Sequence, residues 1–360
     1  MWCVNIWKRQ FCPQNHDSLL AVGTKVSPRG PGIGESLGWF LFAMLLHVFG
    51  FALTAGAIAG IFVAAGISWN DLAVLDFLES QQLTFLAGEQ FVFVTVVLLA
   101  AWFRLRGNLG HRLSSRPLPL LHLFLITCLV VPIAIFSGLL HAWGMQQWQN
   151  LLICFPEWNQ LQMNQSMDVL RDLSGNASVW SLLLLFAIAP ALGEEILFRG
   201  VIGRGLIHRL GHTGGILLTS LLFALAHGHP VHALAVFPIG LALHYVYLMT
   251  RSFWAPIYLH FCVNAFAVLQ WQVGEIGNRS LSSPAILMIF LCLMLFVLFL
   301  WASRVRLIDQ EGREWFPERP SLELPIELPL TMTFSSLPWR ITVGGLVPLI
   351  GFFAALRWYG

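Results

Sequence analysis

Two adjacent glutamates and an arginine stand in the middle of an otherwise apolar stretch, FAIAPALGEEILFRGVIGRGL, residues 186 to 206. Charged groups at membrane depth cost several kcal/mol and normally face a bundle interior or a wet cavity, so Glu194, Glu195 and Arg199 are candidates for chemistry. On a helix, Glu195 and Arg199 are four residues apart in the favourable acid-first order and can pair. That leaves Glu194, about 100° round the helix, without an intrahelical cation. A carboxylate without a cation in a water-filled pocket suits a general base, whereas the same three residues could equally form a buried polar clamp between helices.

Two further segments add polar groups to apolar helices. SLLFALAHGHP places Phe223 and His227 four apart near the end of one segment, and APIYLHFCVNAFAV places His260 and Asn264 four apart on one helical face. A single buried histidine is more often a packing residue than a ligand. Three segments each carrying hydrogen-bonding or metal-ligating groups are harder to ascribe to packing, and Glu, His, His and Asn can activate water and stabilise an oxyanion.

In this order, EEILFR (194–199), FALAH (223–227) and HFCVN (260–264) match the patterns EExxxR, FxxxH and HxxxN, and the chain resembles the CPBP family of intramembrane proteases, which includes the CAAX prenyl endopeptidases and the Abi-type proteins. The resemblance covers about 180 to 272. It implies that Glu194 and His227 activate the attacking water, that His260 and Asn264 stabilise the oxyanion, and that Glu195 and Arg199 support the site. It leaves two mechanisms open. A zinc ion would want about three protein ligands and an open position for water, and Glu194, His227 and His260 could supply them; a metal-free site would hold the water by hydrogen bonds from Glu194 and His227. The implied substrates are peptide segments of membrane-associated proteins, prenylated CAAX proteins among them. The competing readings are a non-catalytic scaffold or bacteriocin-immunity-type protein, and a transporter.

The elements that position these residues follow from composition. The 360-residue chain is 57% hydrophobic and only 11% charged, with a mean hydropathy of +0.73, against roughly a quarter charged in soluble domains. This predicts an all-α, polytopic transmembrane helix bundle. Apolar windows of about 20 residues, the length a spanning helix needs, fall at 37–67, 83–103, 118–142, 179–207, 215–229, 233–250, 254–272, 285–303 and 342–358, giving eight or nine spans. The division is a polar tail at 1–36, N-terminal helices and loops at 37–178, the protease-like core at 179–272, and C-terminal helices with a connector at 273–360.

The 104–116 loop carries Arg104, Arg106, Arg112 and Arg116, whereas the 68–82 loop has no basic residue. Short cytoplasmic loops concentrate Lys and Arg, so the amino terminus and the 104–116 loop are expected in the cytoplasm. The protein is then an integral multi-pass membrane protein, of the plasma membrane if bacterial, with lipid and a peptide or protein substrate as partners. A net charge of +2 with scattered basic residues gives no nucleic-acid footprint. The six cysteines form no CxxC pair and read as small core residues. GESLG at 34–38 matches a nucleophile elbow in letters, but the elbow needs a preceding strand, so Ser36 reads as a chance match. GAIAG at 56–60 reads as a helix-packing pattern. His229 and His232 are expected in or near a loop, His244 with a backbone or hydroxyl partner, and His208 and His212 in solvent.

Overall fold

The computed structural model describes residues 30–66, 81–105, 109–161, 177–273, 283–316 and 331–334. Seven long helical runs make the molecule: α1 (Ile33–Ala64), α2 (Gln82–Arg104), α3 (Leu120–Cys154), α4 (Val179–Leu225), α5 (Pro230–Thr250), α6 (Trp254–Val273) and α7 (Ser283–Ala302). All except α6 are long and apolar enough to cross a membrane. The exception has a residue-level cause, because α6 carries His260, Asn264, Gln270 and Gln272 in its 20 residues. The chain is an integral multi-pass membrane protein. Its outward side chains agree: Leu41, Leu45, Val48, Phe49 and Leu53 of α1 are exposed, as lipid-facing positions must be.

The eight or nine expected spans resolve into these runs, and the expected span at 342–358 lies outside the described residues. The windows 179–207 and 215–229 form one run, α4, which reverses at Gly211. There the backbone takes φ 77°, ψ 173°, a region essentially restricted to glycine. The arm after this turn ends at Leu225 and rises only about 20 Å, short of the roughly 30 Å hydrocarbon layer.

Close packing of α1 on α2 does not use GAIAG. Among the described residues nothing lies within 4 Å of where a Cβ on Gly56 or Gly60 would be, so they do not form the packing expected there. The close approach is one to two turns earlier, where Gly50 meets the Glu89 backbone and Gly88 meets Thr54. Beside it, His47 Nδ1 bonds Glu89 Oε1 and the His47 ring stacks on Phe93.

A second departure from the all-helical expectation is small. Within the segment read as a connector, β1 (Val305–Ile308) pairs antiparallel with β2 (Thr331–Phe334), Val305 opposite Phe334. Alternation accounts for it: Val305 and Leu307 are buried, while Arg306 and Ile308 are half-buried. Ser36 is buried in the first turn of α1, and no strand, such as a nucleophile elbow needs, precedes it among the described residues. No disulfide occurs among the described residues, but Cys154 is exposed rather than part of the core.

Candidate active site

The core elements α4, α5 and α6 bring the three motifs together. Immediately after Glu195 the helix widens into a π-helical stretch, Ile196–Gly203, that contains Arg199. Such turns recur at functional sites. Glu195 and Arg199 are both fully buried, and Arg199 Nη1 donates to Glu195 Oε1 at 2.7 Å. The same Oε1 accepts from His260 Nδ1 of α6, also at 2.7 Å. Because a carboxylate only accepts, Nδ1 of His260 carries the proton, and Nε2 is the atom left to face a reacting group.

Arg199 is held on two further sides. Its Nη2 donates to the Gly240 carbonyl of α5 at 3.1 Å, and its Cζ sits 4.3 Å from the centroid of the Phe223 ring, a cation–π contact. Gly240 makes this possible, since a Cβ there would lie 3.1 Å from Ser220 Cβ and 3.2 Å from the Phe223 ring. The Phe223 ring in turn meets the edges of Phe198, His227 and His260, with centroids 5.3, 5.4 and 5.7 Å away. The FxxxH phenylalanine is thus the hub of the site, and sequence spacing identified its position but not this role.

Glu194 is half-buried, and its side chain makes no hydrogen bond or ion pair among the described residues. It nevertheless lies within electrostatic reach of Arg199. Asn264, one turn beyond His260, is half-buried too. His227 is exposed, and its Nδ1 lies 3.1 Å from the Phe223 carbonyl, which fixes Nδ1 as the donor and leaves Nε2 as an acceptor in the neutral ring.

The expected zinc ligands do not gather as they stand. Among the described residues no three His, Cys, Asp or Glu side chains form a group able to hold a metal ion. His260 is already committed through Nδ1 to Glu195, and the Phe223 ring abuts both imidazoles. No step below is routed through a metal.

Neighbouring histidines differ from expectation in two cases. His244 is fully buried, and neither ring nitrogen has a hydrogen-bond partner among the described residues. Its ring occupies the space left by Gly203, where a Cβ would lie 2.7 Å from His244 Cε1. His208 and His212 are half-buried rather than solvated. As expected, His229 lies in the turn before α5, where its Nδ1 accepts from Val231 N and caps the helix. Burial pushes the His229 imidazole below its usual pKa.

The fold and site define a helical membrane bundle built round a buried carboxylate–guanidinium–imidazole cluster. Residues 176–266 match the family described as "Type II CAAX prenyl endopeptidase Rce1-like", and with the relative below this supports a likeness of this core to the CPBP/CAAX proteases. A 97-residue stretch is 27% identical to the "Putative membrane peptidase YdiL" of Bacillus subtilis (strain 168), covering 27% of this chain and 39% of that protein. No solved structure matches the chain.

Proposed function

We propose that the protein is an intramembrane endopeptidase that hydrolyses peptide bonds of membrane-associated proteins with a water molecule activated by Glu194 and His227. One observation carries this reading. Of two adjacent glutamates, Glu195 is bound through Oε1 by both Arg199 and His260, while Glu194 beside it makes no hydrogen bond or ion pair among the described residues. A pure clamp would have no use for the second carboxylate. A hydrolase needs it as a base.

In the proposed reaction the water oxygen attacks the peptide carbonyl carbon as its proton passes to Glu194. His227 Nε2 orients the water. The resulting oxyanion is met by the Asn264 amide and by an N–H donated from His260 Nε2, the ring carrying both protons in this step with Nδ1–H still on Glu195, contacts worth more in a water-poor cavity than in bulk solvent. The C–N bond then breaks as Glu194 returns the proton to the departing amine. No acyl-enzyme forms. Glu195 acts through His260, fixing its tautomer and ring orientation, so it is a positioning residue.

The reading is tested with purified full-length protein in detergent and a panel of membrane-associated peptides. Cleavage should occur and should be absent in the Glu194→Gln variant.

A further inference from the structure

A second imidazole–carboxylate contact lies outside the three motifs, inside two candidate spans. Mid-way along α1, His47 Nδ1 donates to Oε1 of Glu89, two turns into α2. Gln90 Nε2 donates to the other oxygen of the same carboxylate at 3.1 Å. The Glu89 side chain is buried and that of His47 is 34% exposed. Ionisable groups at span depth are costly and by default mark functional places. No step of the proposed reaction uses this pair.

Packing joins the pair to the candidate site. The His47 ring stacks on the Phe93 ring, with centroids 4.3 Å apart and planes 22° from parallel. Phe93 is one turn past Glu89 on the same face of α2 and is fully buried. Its ring lies against Gly193 of α4, where a Cβ would come 2.7 Å from Phe93 Cε1 and 3.2 Å from Val94 Cγ2. Gly193 immediately precedes Glu194. The Glu194 side chain makes no hydrogen bond or ion pair among the described residues, so the backbone that carries it sets where its carboxylate stands. That backbone rests on Phe93, Phe93 stacks on His47, and Glu89 tethers His47. The close approach of Gly50 to the Glu89 backbone holds the two helices together at this level.

We infer that His47 and Glu89 are positioning residues for Glu194, acting through Phe93 and Gly193. This rests on the proteolytic reading above. A displacement of about 1 Å at a reacting group costs on the order of 100-fold in rate, so a tether that never touches substrate has the leverage to set turnover.

The test uses purified full-length protein in detergent. His47→Leu leaves the buried Glu89 carboxylate without its partner and can fail to fold. The double variant His47→Leu, Glu89→Leu removes both polar groups together and avoids that penalty. Its kcat should fall by about 10- to 100-fold, with KM within about twofold of wild type. Glu89→Leu alone, which leaves only a neutral imidazole, should show the same loss. Glu89→Gln keeps an oxygen to accept from His47 Nδ1 and should recover most of the turnover that Glu89→Leu loses. A wild-type kcat in the folded double variant, or a loss that lies wholly in KM, overturns the inference. A second readout does not need cleavage. With all six native cysteines replaced by alanine, Glu194→Cys reacts with a small thiol reagent, and adding the two leucine substitutions should change that rate several-fold. An unchanged rate overturns the inference. If the rate changes while wild-type protein cleaves no peptide, the proteolytic reading fails and the coupling of His47 to position 194 stands.

Discussion

His260 Nδ1 and Arg199 Nη1 both point at the single oxygen Oε1 of Glu195, each at 2.7 Å. One carboxylate therefore ties the third motif to the first across α4 and α6. Removing Arg199 leaves the buried Glu195 carboxylate without its ion-pair partner.

Arg199→Met should accordingly destabilise the protein by about 3–5 kcal/mol, the usual effect of leaving a buried charge without its partner. Thermal unfolding in detergent measures this. Adding Glu195→Gln to Arg199→Met should recover part of the loss, because the remaining amide carries no charge. An unchanged melting temperature in Arg199→Met would show that the cluster is not a structural unit.

Glu194→Gln is nearly isosteric and disturbs no hydrogen bond among the described residues. Peptide cleavage should fall by at least about 100-fold, the lower range of general-base contributions, with the melting temperature unaltered. Retained turnover would remove Glu194 from the mechanism.

Gly211→Ala addresses the reversal of α4. A Cβ at φ 77°, ψ 173° costs on the order of 1–3 kcal/mol. Stability should drop by that amount, and the surviving folded fraction should keep its specific activity. An equally stable variant would mean that the turn is not held in this conformation.

The His229 cap gives stability a pH dependence. Burial holds its folded-state pKa below the ordinary imidazole value of about 6.5, so the unfolded chain binds the proton more readily. Above about pH 6.5 both states are neutral and nothing is lost. As pH falls through 6.5, protonation favours the unfolded chain, and it also blocks Nδ1 as acceptor for Val231 N. Melting temperatures at pH 8 and pH 5.5 should differ less in His229→Asn, which can still cap the helix.

Metal dependence separates the two mechanisms directly. With a site worked by Glu194 and His227 alone, dialysis against a strong zinc chelator should leave cleavage unaltered, and elemental analysis should find no stoichiometric zinc. Loss of cleavage on chelation, restored by zinc, would reverse this.

The motif residues were legible because lipid makes charge conspicuous: Glu194, Glu195 and Arg199 stand out in an apolar segment, and the i,i+4 pair follows from helix geometry alone. The link from Glu195 to His260 was not, since it joins residues 65 apart and depends on how α4 packs on α6. His47 with Glu89 escaped for the same reason. The strands β1 and β2 were obscured because each is four residues long and their pairing spans the segment between them. Gly211 offered a signal that was readable: a glycine beside His208, Arg209 and His212 in an otherwise apolar run is where a membrane helix can turn round.

The Phe223 ring touches Arg199, His227 and His260 at once. None of the three can shift without displacing the same ring, so the motifs form a single mechanical part rather than three. A change tolerated in one segment alone is then expected to be rare. Divergent copies of this site should alter their three motifs in concert or lose all of them together.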